Sequence, residues 1–94
     1  MITVRDIARI LDRFAPSALA ESWDNVGLLV GDPAPAVEAG VVALDCTPGA
    51  LAQAADAGAS LLVTHHPLIF SPFKRVMEDG GTATLARALI RQDC

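Results

Sequence analysis

Residues 41–64 read VVALDCTPGALAQAADAGASLLVT, and the order of apolar and turn residues within them decides the fold. Val41-Val42-Ala43-Leu44-Asp45 is a short β-branched run with the length of a strand. Thr47 and Pro48 then occupy the positions of an N-cap and a first helical residue, and Ala50 to Ala57 propagates a helix that Gly58 ends. Leu61-Leu62-Val63-Thr64 is the next strand. A strand, helix, strand unit with a crossover this short holds its two strands parallel, so the class is α/β with a mainly parallel sheet and flanking helices.

Upstream, Thr3 and Asp6 approximate a capping box, and Val4, Ile7, Ala8, Leu11 and Phe14 keep helical spacing, which predicts a helix from about Val4 to Phe14. Pro16 closes it, leaving residues 15–21 as a connector or one short extra turn. Trp23-Asp24-Asn25 reads as a polar turn leading into Val26-Gly27-Leu28-Leu29-Val30-Gly31, expected to be a buried strand, and Asp32-Pro33-Ala34-Pro35 breaks the chain. Downstream, Leu68 to Phe73 reads as loop with some buried anchors, and Asp79-Gly80-Gly81 as a turn. Thr82 or Thr84 is expected to cap a last helix through Arg91, with Leu85, Ala86, Leu89 and Ile90 buried and Arg87 and Arg91 solvated. A sheet stopping after three expected strands has an uncovered edge, so the 94 residues read as an incomplete part of a larger α/β domain.

Composition narrows the function classes. An apolar fraction of 52%, 19% charged residues and a mean hydropathy of +0.42 describe a globular chain. No apolar run reaches the ~18 residues of a membrane span, so no membrane partner is expected. The formal charge of −4 and the scattering of seven basic residues argue against direct nucleic-acid binding. The first residues lack a secretory pattern and Cys46 and Cys94 make no disulfide framework, which points to the cytoplasm with reduced thiols.

The two histidines, His65 and His66, are adjacent and fall at the carboxyl end of an expected parallel strand, where open α/β sheets place ligands. Extended backbone, favoured at His66 by Pro67, would splay the rings, so that two ions ~3.5 to 4 Å apart each take one imidazole and share a hydrolytic water. The competing reading has one histidine packed and the other capping a turn. Asp45, at the same end of the neighbouring strand, either ligates or orients an imidazole from behind, or simply precedes the helix N-terminus as a favourable charge. Cys46 is a soft ligand or a small buried thiol. Trp23-Asp24-Asn25 lines a pocket, or forms an Asx-type turn with Trp23 over the sheet edge. Lys74-Arg75 meets an anionic substrate or is plain solvated surface. Gly27 and Gly31 match no phosphate-loop pattern, and no serine nucleophile elbow is present.

Two stretches, residues 23–31 (WDNVGLLVG) and 62–70 (LVTHHPLIF), together with the Asp45-Cys46-Thr47-Pro48 junction, resemble the start of the NGG-interacting-factor-three-like family, also called GTP cyclohydrolase I type 2 homologues. The resemblance implies a cytoplasmic α/β protein that binds two divalent metal ions (zinc, iron, manganese or magnesium) and assembles into a ring-like homohexamer. His65 and His66 match the family's first two metal ligands; the remaining ligands belong to later segments without counterpart here. On that basis residues 1–94 are expected to be the amino-terminal portion of one dinuclear metal-binding domain, a fragment itself inactive, from a metal-dependent hydrolase with a small-molecule or nucleotide substrate. The alternative is a non-catalytic metal-binding or protein-interaction module.

Overall fold

A computed structural model describes all 94 residues. Helix α1 spans Val4–Phe14, strand β1 Gly40–Ala43, helix α2 Pro48–Asp56, strand β2 Leu61–Thr64 and helix α3 Thr82–Arg91. One three-residue 3-10 turn, Ser17–Leu19, fills the connector after α1. The chain is thus a partial α/β domain, a two-stranded parallel sheet with three helices.

The 41–64 unit forms as expected. Thr47 is the N-cap of α2, its hydroxyl accepting from the Ala50 N–H at 3.0 Å, with Pro48 opening the helix. Gly58, at φ 63°, turns the chain back toward the sheet. The strands pair in register from Gly40 opposite Leu61 to Ala43 opposite Thr64. β1 starts one residue earlier than expected and ends at Ala43, before Leu44 and Asp45, which already belong to the bend at the strand tip.

The core is thin and built from small side chains. Ala50, Leu51 and Ala54 of α2, Ala59, and Ala83, Ala86 and Leu89 of α3 are buried, with Val4 of α1. Alanines at these positions let α2 approach both the sheet and α3 closely. Of the stripe expected on α3, Ala86 and Leu89 are buried, joined by Ala83, while Leu85 is half-buried and Ile90 is 59% exposed. Neither threonine caps it: the N-cap is Gly81, and Thr84 turns its hydroxyl back to accept from the N–H groups of Asp79 and Gly80. Arg87 and Arg91 both reach Glu78, at 2.7 and 3.2 Å.

The capping box of α1 is present, with Thr3 and Asp6 bonding reciprocally. Its first turn is further tied down by donations from Val4 and Arg5 to the carbonyls of Pro35 and Pro33. Beyond that turn the apolar stripe runs into open space: Leu11 is 43% exposed and Phe14 85%.

One expected element is absent. Residues 26–30 form no strand, and Val26 and Leu28 are exposed. Gly27 and Gly31 sit at φ 108° and 114°, so the chain turns at both ends of the run, and no neighbouring strand lies alongside to take its backbone hydrogen bonds. The 68–73 loop keeps Leu68 and Ile69 half-buried while Phe70 and Phe73 face outward.

Candidate metal centre at the strand tips

The parallel ladder runs one step past the strands themselves. The N–H of His65 donates to the Ala43 carbonyl at 3.1 Å and that of His66 to the Leu44 carbonyl at 3.0 Å, so both histidines are held beside the 44–46 segment at the carboxyl end of the sheet. The Thr64 hydroxyl donates to the His66 carbonyl at 2.6 Å and fixes the bend before Pro67. Because the backbone bends here, the rings are not splayed to opposite sides as extended geometry would place them. Their centroids lie 4.8 Å apart with planes tilted by 58°.

Asp45 meets His66 directly. Its Oδ1 lies 2.8 Å from His66 Nδ1, with both side chains about half exposed. An ionised carboxylate only accepts, so Nδ1 is the donor in this contact, and in a neutral imidazole so held the lone pair is on Nε2. That is the arrangement in which a carboxylate orients a metal-binding imidazole from behind. Thr47 makes the cap of α2, and Asp45, two residues before it, keeps its place ahead of the helix N-terminus while it meets His66.

The other candidates separate. Cys46 lines the same apolar concavity as His65, but burial, and secondarily the nearby Cys94, push its thiol up; burial likewise raises Cys94. A raised thiol disfavours the thiolate that metal binding requires. Lys74 and Arg75 are exposed and form no ion pair. Trp23 does not cover the sheet edge. It is 66% exposed and lies 6.3 Å from Phe70, while the Asn25 amide donates to the Ile69 carbonyl at 2.6 Å. The 23–25 turn is thereby stitched to the segment just after the histidines. Of the two readings of 23–25, pocket lining or a local turn, Asp24 and Asn25 do line the concavity, whereas the bond to Ile69 was not foreseen, because a partner 44 residues away leaves no periodic signal in the sequence.

No three of the chain's His, Cys, Asp and Glu side chains converge on one point suited to a metal ion. A catalytic zinc site usually takes three protein ligands. The residues present therefore suit part of a centre: two imidazoles, one of them already oriented by its carboxylate.

The model of the Duf34/NIF3 (NGG1p interacting factor 3) family matches residues 2–94. The chain belongs to this family. A relative from Clostridium acetobutylicum named GTP cyclohydrolase 1 type 2 homolog is 38% identical over 78 residues, which cover 83% of this chain and 29% of the relative. A protein of the same name from Staphylococcus aureus strain COL is 39% identical over 90 residues, covering 96% and 24%. The crystal structure of Staphylococcus aureus protein SA1388 superposes with a TM-score of 0.92 at 38% identity, over 98% of this chain and 30% of that one. The chain thus spans 24–30% of the length of these Duf34/NIF3 relatives, and the fold of that part is shared with the solved one. No helix is long and apolar enough to cross a membrane.

Proposed function

We propose that residues 1–94 supply the histidine half of a divalent-metal centre in a hydrolase resembling GTP cyclohydrolase 1 type 2, with His65 and His66 as ligands. The observation that carries this reading is the His66 Nδ1 to Asp45 Oδ1 contact at 2.8 Å, which leaves Nε2 as a free, directed donor at the carboxyl end of a parallel sheet. His65 stands beside it and lines the adjoining concavity. A divalent ion held there would supply Lewis acidity toward an electrophilic ring carbon of a nucleotide or other small molecule. The chain's own part is to hold the two rings, fix the tautomer of His66 through Asp45 and keep the bend rigid through Thr64. The proposal includes a second ion, donors supplied from outside these residues, and assembly into a ring-like homo-oligomer in the cytoplasm. The relatives' shared name supports the hydrolase reading.

The test is metal analysis with zinc, iron, manganese and magnesium, followed by nucleotide turnover with and without chelator, on the 94-residue chain and on a chain extended to the length of the relatives. Chelator-sensitive turnover confined to the longer chain is the expected result. Metal bound without turnover of any nucleotide points instead to a non-catalytic metal-binding module, and absence of metal from both chains overturns the reading.

A further inference from the structure

The chain holds one tryptophan and three phenylalanines, and two of these rings, Trp23 and Phe70, meet on the surface. They are 66% and 54% exposed, with centroids 6.3 Å apart and planes tilted by 52°. Rings of this size ordinarily contribute by being covered, and these two are not. The pair is nevertheless held in place. Asn25 donates its backbone N–H to Asp24 Oδ1 at 2.8 Å and its side-chain amide to the Ile69 carbonyl at 2.6 Å, which ties the turn bearing Trp23 to the segment bearing Phe70.

This pair adjoins the candidate metal donors. Asp24 and Asn25 on one side and Pro67 and Leu68 on the other line the same concavity as His65, and Trp23 and Phe70, which do not, flank those residues in sequence at its rim. Phe70 follows His66 by four residues, so their backbones lie within about 14 Å of each other. Four and five residues beyond Phe70 stand Lys74 and Arg75, exposed and without an ion pair. The next acidic groups along the chain are engaged elsewhere: Glu78 takes Arg87 and Arg91, and Asp79 accepts from the Gly81 N–H.

We infer that Trp23 and Phe70 are the stacking platform for the base of a free nucleotide, with Lys74 and Arg75 meeting its phosphates. An aromatic side chain takes any base through its π-face, and charged donors bind phosphate oxygens strongly. An uncharged ring would leave the two cations unused, and a long polyanion meets a chain of net charge −4. Because the two rings are tilted, no parallel slot lies between them, so the base lies on the open face of one ring and the other braces it. The Asp24 carboxylate beside the ring end repels phosphate and sets the direction of the ligand. The inference rests on the proposed function for the reaction this nucleotide undergoes, and on the surface alone for its binding.

Trp23 is the chain's only tryptophan, so its fluorescence reports the platform directly. The experiment titrates GTP, guanosine, inorganic triphosphate and a single-stranded oligothymidine into the chain with chelator present, corrects for absorption by the ligand, and checks each variant's fold by circular dichroism. GTP should quench saturably and bind about tenfold or more tightly than guanosine. Lys74→Gln with Arg75→Gln should bring GTP down to the level of guanosine and leave guanosine unchanged. Phe70→Leu should weaken both nucleotide and nucleoside about threefold to tenfold, while Phe14→Leu, at an 85% exposed ring on α1, should weaken neither. Absence of saturable quenching by GTP overturns the inference, as does inorganic triphosphate competing as well as GTP, or the oligothymidine binding more tightly than GTP. Since chelator is present throughout, quenching in a chain that binds no metal would leave this platform standing and refute the metal centre, and metal binding without quenching would do the reverse.

Discussion

Replacing Asp45 with Ala isolates the one interaction on which the metal reading depends. The contact to His66 is 2.8 Å, and the two side chains are 57% and 50% exposed, so the pair sits in high dielectric and its loss should cost less than about 1 kcal/mol of stability. The fold should survive, because Asp45 takes no part in the ladder, which uses the Leu44 carbonyl and the backbone of His66. Its effect on the imidazole should be larger. Without the carboxylate the ring is free to rotate and to exchange tautomers, and loss of such a partner typically lowers metal affinity about 10–100-fold, or about 1.4 to 2.8 kcal/mol. Asp45→Asn keeps an acceptor for Nδ1–H without the charge, so it should preserve the tautomer and weaken binding less. Long-range nitrogen–proton NMR of the imidazoles reports the tautomer, and competition against a chelating dye with zinc or manganese reports affinity. The reasoning is refuted if Asp45→Ala leaves both the Nδ1–H tautomer and the affinity as they are in the wild type while His66→Ala abolishes binding.

Other outcomes follow from the helices and thiols. The Thr3 backbone N–H and then its hydroxyl hold the Asp6 carboxyl below its ordinary value of 3.8. A folded pKa below the unfolded one means that this capping contribution is complete above about pH 4 and is lost as pH falls through the lowered value, so Asp6→Asn should shrink the acid loss of helical circular dichroism. Leu51→Ala, at a site 4% exposed, should cost about 2–5 kcal/mol and Thr47→Ala about 1 kcal/mol, both read from denaturant unfolding, and equal costs would contradict the core described above. Since burial raises both thiols, alkylation of Cys46 and Cys94 near pH 8 should run slower than that of a free cysteine, and mass spectrometry showing faster labelling would refute the assignment.

The elements legible in the sequence are those closed by local chemistry. The capping box at Thr3, the Thr47-Pro48 start of α2 and the Gly58 turn each need only neighbouring residues, and all three form at the expected positions. The pairing of β1 with β2 was equally legible, because a nine-residue helix between two short apolar runs leaves little choice but parallel strands. What escaped was decided at long range. Thr84 turned back to the 79–80 turn instead of capping α3, and Ile90 fell on the open side because the face α3 buries is that of Ala83, Ala86 and Leu89. The histidine pair was visible by its position at a strand tip. Its geometry was not, because the bend that brings the rings to 4.8 Å depends on the Thr64 hydroxyl and on ladder bonds to residues 43 and 44.

The same division between local and long-range holds at the candidate site. The proposed donors and their partners lie within residues 43–46 and 64–66, a tip whose shape follows from two paired strands and one carboxylate. Nothing at that tip depends on α1 or on the 24–32 segment except the stitch from Asn25 to Ile69. The Asp45–His66 pair should therefore keep its geometry in a chain extended to the length of the relatives, with the same Nδ1–H signal of His66 in long-range nitrogen–proton NMR of the short and the long chain. Loss of that signal on extension would refute the local origin of the pair.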